Sequence, residues 1–109
     1  MDEQDVRRLA LALPETEEHD HFGRPSFRVG KKLFVTMPEV GRANLKVPME
    51  ELRALVAERP EVFRDVVWGQ LHRLGVDLSA IDADELAELV ETAWAEVAPK
   101  RLVAAHFGG

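Results

Sequence analysis

Residues 21–38, HFGRPSFRVGKKLFVTMP, restrict the fold more than any other stretch of this sequence. They are rich in aromatic and β-branched residues and are interrupted by glycine and proline, a pattern typical of short strands joined by tight turns. Strands joined so closely pair antiparallel, and the apolar face of such a sheet requires a cover of amphipathic helices. The stretch therefore predicts a two-layer α+β domain.

The hairpin in this stretch is predicted to turn at Gly30–Lys31, because glycine supplies the positive φ of a two-residue type II′ loop. This register places Phe27 and Phe34 on one face of the sheet and sets Arg28 opposite Leu33. A three-residue loop would instead align Phe27 and Val29 with Leu33 and Val35 on one face. The sequence is compatible with both registers.

Amphipathic helices are predicted before, between and after the strand segments. Apolar residues recur at helical spacing over residues 6–13, and Pro14 prevents continuation. A second helix is predicted between Pro48 and Pro60, where proline suits a first turn and then ends the helix. A third begins where Asp82 and Glu85 stand at capping-box spacing, and the last ten residues are predicted to add a short helix.

Further strands complete the predicted order. An acidic turn is expected after the first helix, ANLKV reads as a strand before the second helix, and VFRDVVW and LHRLGVDL read as two strands after it. The order is helix, three or four strands, helix, two strands and helix. It predicts an antiparallel sheet of about five or six strands covered by three helices, in a single domain over residues 1–109.

Charge is distributed unevenly along the chain, although the total is -6. Residues 19–46 carry about +4, so the remainder carries about -10. Strand hairpins can lay cationic side chains along phosphate oxygens, an attraction that does not depend on base sequence. The candidate nucleic-acid-binding residues are Arg24, Arg28, Lys31, Lys32, Arg42, Lys46 and Arg73. The competing interpretation is that these cations keep an exposed sheet edge soluble.

Two histidines stand close together in the segment EEHDHF. His19 and His21 are two residues apart, so on a strand their rings point to the same side. Structural zinc requires four protein ligands and catalytic zinc usually three, and the chain contains no cysteine. We therefore expect neither a metal nor a cofactor, and interpret both histidines as residues at the start of a strand.

No recognisable catalytic motif is present, so we expect a protein that is not an enzyme. Asp20 lies between the two histidines but faces the other side of a strand, so it cannot orient either ring directly. Gly23 and Pro25 are expected to shape a bend at the start of the sheet.

The large aromatic side chains are expected to lie in the core. A stacking role would require one of them to be exposed beside basic residues. The set comprises Phe22, Phe27, Phe34, Phe63, Trp68 and Trp94.

Several motifs resemble those of the MmcQ/YjbR family. HDHFGRPSFRVGKKLF resembles the family hallmark: a histidine two before Phe-Gly, then Pro-Ser-Phe-Arg-Val and a glycine-lysine hairpin. NLKV and VAPKRL match in the same order and at similar spacing. The resemblance covers nearly the whole chain, and it implies a small α+β domain related to secretion chaperones that binds DNA through a double-wing arrangement of strands.

The sequence departs from the family pattern at two places. Leu74 stands where the family usually has an aromatic residue, and Ala93 and Trp94 replace a Ser-Tyr pair. Both changes keep apolar bulk but remove a hydroxyl pair from any polar site there.

Taken together, these features predict a cytoplasmic DNA-binding protein. The alternative is a protein-interaction or chaperone-like module, in which an apolar sheet face or helix groove holds a partner or a second copy. A third is a small-ligand or metal pocket around His19, His21 and Arg28. No membrane partner is expected, because no apolar run approaches the roughly 20 residues that span a bilayer and the acidic N-terminus is unlike a secretory signal.

Overall fold

The computed structural model of the protein describes residues 1–108. The elements follow the predicted order, with four strands in the first run and two in the second. They are α1 (Glu3–Leu11), β1 (Thr16–His21), β2 (Arg24–Val29), β3 (Lys32–Thr36), β4 (Arg42–Leu45), α2 (Met49–Glu58), β5 (Phe63–Trp68), β6 (Leu71–Asp77), α3 (Ala83–Val97) and α4 (Lys100–Gly108).

The six strands form one antiparallel sheet in the order β1-β2-β3-β4-β6-β5. α3 packs over β2, β3 and β4, while α1 lies over β1 and β2 and α2 over β5 and β6. The core lies between the sheet and these three helices, and Phe27, Phe63 and Trp94 are among its largest buried side chains. The predicted two-layer α+β architecture is confirmed. α4 follows at the margin, and none of its described residues is fully buried.

Acidic caps begin the two helices that lie over β1 to β4. The Asp5 amide donates to Asp2 at 3.0 Å and the Asp2 amide donates to Asp5 at 2.9 Å, so α1 starts with a complete capping box. At α3, the Glu85 amide donates to the Asp82 carboxylate at 2.8 Å. The Glu85 carboxylate pairs instead with Arg59. Only half of the box predicted there forms, because an arginine competes for the glutamate.

The β2–β3 hairpin combines both registers that the sequence allows. Its turn is the predicted two-residue loop at Gly30–Lys31, with Gly30 at a φ of 61°, and Arg28 pairs with Leu33. The register then shifts, so Phe27 pairs with Val35 rather than with Phe34. A β-bulge inserts one unpaired residue into one strand, which explains why neither simple alternation describes the whole hairpin.

The predicted acidic turn is shorter than expected, because β1 already begins at Thr16. Acidic residues are depleted in strands, but ion pairs stabilise the glutamates on both faces of β1. Glu18 accepts two hydrogen bonds from Arg7 on α1, at 2.8 and 3.1 Å, and Glu17 accepts one from Arg28 on β2 at 2.7 Å. β1 is also an edge strand, where charged side chains discourage pairing with another chain.

The departures from the family pattern fall in the core. Leu74, Ala93 and Trp94 are all fully buried. The Trp94 indole Nε1 donates to the Pro14 carbonyl at 3.0 Å, which ties α3 to the turn before β1. The indole therefore fills space and satisfies its own polar group, as a buried tryptophan requires.

Candidate functional site

The pairing register separates two faces of the sheet. One row of paired residues lies beneath the helices, and its four central members are apolar: Glu18, Phe27, Val35, Leu45, Leu74 and Asp65. The adjacent row points to the opposite side and is largely polar: His19, Ser26, Thr36, Asn44, Gly75 and Arg64. We call this second side, which α1, α2 and α3 leave uncovered, the open face.

The open face contains a depression of about 520 Å³ with a mostly apolar lining. Leu33 and the bulge residue Phe34 line it from β3, and Val66, Trp68 and Leu71 line it from the β5–β6 hairpin. The volume falls within the range of small-molecule and cofactor sites. The bulge is thus part of the site, because it brings two successive β3 side chains to the same depression.

Gly75 allows the β5 side chains to lie close over β6. A Cβ atom at this position would lie 2.7 Å from Val66 Cγ2 and 2.9 Å from Arg64 Cγ. Real Cβ atoms do not approach other atoms so closely, so glycine is required for the present position of Val66. The shape of this part of the depression therefore depends on the absence of a side chain at Gly75.

Arg73 lines the depression without a carboxylate partner. Among residues 1–108 no acidic oxygen lies within 4.0 Å of its guanidinium, which donates through Nη1 to the His72 carbonyl at 2.8 Å. Partial burial lowers the pKa of Arg73 below its ordinary value, because desolvation disfavours the charged form. A partly desolvated and unneutralised guanidinium is chemically suited to bind an anion.

Two of the predicted cations are already neutralised inside the protein. Arg24 pairs with Glu3 on α1 and also donates to the Met37 carbonyl at 3.0 Å. Arg28 pairs with Glu17 at 2.7 Å. These two arginines therefore join elements of the fold and are less available for phosphate.

Four other predicted cations lie at one end of the sheet. β3 and β6 run in the same direction, since each is antiparallel to β4, so the turns that precede them lie at the same end. β4 ends there too, directly before Lys46. We call the cations there the hairpin-end cations: Lys31, Lys32, Lys46 and Arg73. None has a carboxylate oxygen of the described residues within 4.0 Å.

Lys46 and Arg73 also share a second, smaller depression of about 250 Å³ with Glu96. The remaining predicted cation, Arg42, lies opposite Asp77 across the β4–β6 pair. Hydrogen bonds from Ser79, and to a smaller extent the Arg42 charge, hold the pKa of Asp77 below its ordinary value. The seven predicted residues thus divide into two neutralised arginines, Arg42 beside an acid, and the four hairpin-end cations.

The histidine segment divides between the two faces of β1. His19 and His21 both point to the open face, because they pair with Ser26 and Arg24, whereas Asp20 points to the other side. The Gly23 amide donates to Asp20 Oδ2 at 3.3 Å, which holds the β1–β2 turn. Within residues 1–108, no three His, Asp or Glu side chains are grouped to hold a metal ion.

The pocket considered around His19, His21 and Arg28 differs from the depression that forms. His21 lines that depression, but His19 and Arg28 do not. The depression thus involves a different set of residues, because Arg28 is engaged with Glu17 and the apolar floor lies farther across the sheet.

The expectation that all large aromatic residues lie in the core holds for four of them and is wrong for two. Phe22 is 92% exposed and Trp68 is 81% exposed, and both line the depression. Each precedes a hairpin glycine with positive φ, Gly23 or Gly69. An aromatic residue next to a hairpin glycine was the signal that could have identified them, because a turn tip projects beyond the core.

The fold and the open face define a class of small two-layer α+β domain with an uncovered antiparallel sheet and an apolar depression beside unpaired cations. A family model described as YjbR matches residues 11–96, and the chain belongs to the YjbR family. The resemblance predicted from the hallmark motifs is thereby confirmed.

A crystal structure of protein DR2400 from Deinococcus radiodurans, which has the family-model domain DUF419, is similar in fold. Its TM-score is 0.70 at 22% identity, and the alignment covers 97% of this chain and 80% of that chain. No curated protein matches the sequence. Within residues 1–108, no helix has the length and apolar character needed to cross a membrane.

Proposed function

We propose that this protein binds DNA at the hairpin end of its sheet, beside the open face, with phosphates held by the hairpin-end cations. The single observation that carries the proposal is that these four cations lack carboxylate partners at one end of the sheet. Cations that neutralise phosphates release condensed counterions, which favours binding whatever the base sequence. The resemblance to a family described as DNA-binding supports the same reading.

The position of the acidic residues supports the proposal as well. The first turns of α1, α2 and α3 each contain two acidic residues, and these helices pack on the side of the sheet away from the open face. A net charge of -6 would by itself oppose binding to a polyanion. Because the helix layer holds much of that negative charge, DNA at the hairpin end would meet a local excess of cations. In this proposal the protein acts in the cytoplasm and catalyses no reaction.

The proposal is tested by reversing charge at the hairpin end. The Lys31→Glu/Lys32→Glu double variant changes two exposed side chains at the β2–β3 turn. We expect it to weaken binding to a labelled duplex at low salt by on the order of tenfold or more. Fluorescence polarisation measures the affinity.

A matched control changes the same amount of charge on the helix layer. Arg53→Glu/Lys100→Glu reverses two exposed cations that have no ion-pair partner among the described residues. We expect this control to bind within about threefold of the unaltered protein, since longer-range repulsion is screened by salt. Equal loss in both variants would show a nonspecific effect of net charge, and absence of duplex binding at low salt would refute the proposal.

A second candidate function is a protein-interaction module, and the exposed apolar side chains on the β5–β6 hairpin favour it. Val67, Trp68 and Leu71 are each more than half exposed. Exposed apolar patches mark contact sites for other proteins or for a second copy of the same chain. Self-association that persists at high salt in sedimentation experiments, and that is lost in Leu71→Ser, would support this second function.

A further inference from the structure

Trp68 is placed to stack on a flat ring in the depression. It pairs with Leu71 at the tip of the β5–β6 hairpin and is 81% exposed, although it is the largest apolar side chain on the open face. Val66 and Leu71 lie beside it on the same face, so one side of the indole adjoins an apolar floor. An aromatic side chain that is exposed next to basic residues is the arrangement by which proteins hold unpaired bases.

Arg73 provides the anion contact that a base with its phosphate would require. It pairs with Val66, two residues before Trp68, so Arg73 and Trp68 are diagonal neighbours on the open face. Such diagonal positions are roughly 7–8 Å apart, within reach of long side chains. A nucleotide can span this distance with its base on the indole and its phosphate at the guanidinium, whereas an apolar ligand would leave the desolvated charge unneutralised.

The opposite wall of the depression carries a second exposed aromatic ring. Phe22 is 92% exposed at the β1–β2 turn and packs edge-on against the His21 ring, with centroids 4.6 Å apart. Both rings line the same depression as Trp68. Aromatic groups on two walls suit a single-stranded nucleic acid, because its bases are free to turn outward. Bases in a duplex are stacked on one another, so they cannot occupy this depression.

We infer that the depression on the open face binds an unpaired base of single-stranded DNA, stacked on Trp68 with its phosphate at Arg73. This inference rests on the proposed function and specifies its ligand: the protein binds single strands more tightly than duplex, and Trp68 is the source of the difference.

The two tryptophans of the chain make the inference measurable by fluorescence. Trp94 is fully buried, whereas Trp68 is 81% exposed. The full chain is titrated with an oligothymidine of about 10 nucleotides and, separately, with a duplex of the same length. We expect the single strand to quench the exposed tryptophan, and we expect Trp68→Phe to lose this quenching while it keeps most of the affinity, since phenylalanine still stacks.

Trp68→Ala provides the decisive affinity measurement. We expect it to weaken binding of the single strand by roughly 5- to 150-fold, the range for loss of one stacked base. Duplex binding should change less than about threefold, since phosphate contacts remain. Phe107→Ala is the matched control, because it truncates an exposed aromatic ring on α4, and it should leave both affinities unchanged. Circular dichroism establishes that each variant is folded.

The outcomes separate this inference from the proposed function. If neither DNA binds, the proposed function itself fails. If duplex binds and depends on Lys31 and Lys32, but Trp68→Ala weakens both DNAs equally or neither, the proposed function stands and the unpaired-base inference is overturned. A preference for single strands that Trp68→Ala leaves intact also overturns it.

Discussion

Replacing Gly75 by alanine is expected to destabilise the protein, although alanine normally suits a strand better than glycine. Glycine in a strand costs about 0.5–1 kcal/mol relative to alanine, so a site with free space would gain stability from the change. At Gly75 the new Cβ would lie 2.7 Å from Val66 Cγ2 and 2.9 Å from Arg64 Cγ. Neither atom is the free end of a flexible side chain, since Val66 is stiff at χ1 and Arg64 Cγ lies near its backbone.

The clash should outweigh the gain in backbone entropy. Overpacking a close contact costs typically about 1–3 kcal/mol, so we expect Gly75→Ala to lower the free energy of unfolding by a net of about 0.5–2 kcal/mol. For a domain of this size each kcal/mol corresponds to roughly 4–8 °C in Tm. Val66→Ala removes the clashing methyl group. The double variant Val66→Ala/Gly75→Ala should therefore be more stable than the sum of the two single changes predicts.

Urea denaturation followed by Trp94 fluorescence, with Trp68→Phe as the common background, measures all four free energies of unfolding. We expect a coupling free energy of at least about 0.5 kcal/mol between the two positions, as is usual for residues in contact. If Gly75→Ala is neutral or stabilising, or if the two changes are additive, then the side chains of Val66 and Arg64 do not lie close to Gly75. The shape of the depression would then have another cause.

Two further predictions concern side-chain contacts that join the helices to the fold. Arg7→Met is expected to raise the pKa of Glu18 toward its ordinary value, because hydrogen bonds from Arg7 now hold that pKa low. The depressed pKa stabilises the fold above the ordinary glutamate pKa, and this contribution is lost as the pH falls through the lowered value; an NMR titration that finds the same Glu18 pKa in both proteins would contradict the assignment. His106→Ala removes the 2.7 Å contact with Glu91 and is expected to speed amide hydrogen exchange in α4 alone. Unchanged exchange there would mean that apolar packing by itself holds α4.

Periodicity was sufficient to predict most elements of the fold. The stripe of α3 and the alternation of Leu74, Val76 and Leu78 reflect burial against a single core, which composition and spacing report directly. β1 is harder to predict from the sequence, because glutamates such as Glu17 and Glu18 are unfavourable in strands. Their partners lie on α1 and β2, so the stabilising ion pairs appear only when the chain has folded. Propensity is a local quantity, and tertiary contacts overrode it there.

The candidate site was only partly predictable for a related reason. The sequence identified the cations, but it could not show which ones their own carboxylates neutralise, and Arg24 and Arg28 proved to be paired. The bulge at Phe34 has no local sequence signal, because it depends on how β2 and β3 pair within the sheet. Hydrophobicity favours a core position for Trp68, whereas its place at a turn tip leaves it exposed.

The salt dependence of duplex binding tests the central claim most directly. If the four hairpin-end cations neutralise phosphates, log Kobs plotted against log salt concentration should fall with a slope of about -3 to -4. Lys31→Glu/Lys32→Glu should reduce the magnitude of that slope by about 2, one for each contact removed. A slope near zero, or a slope that the double variant leaves unchanged, would contradict phosphate binding at this end of the sheet.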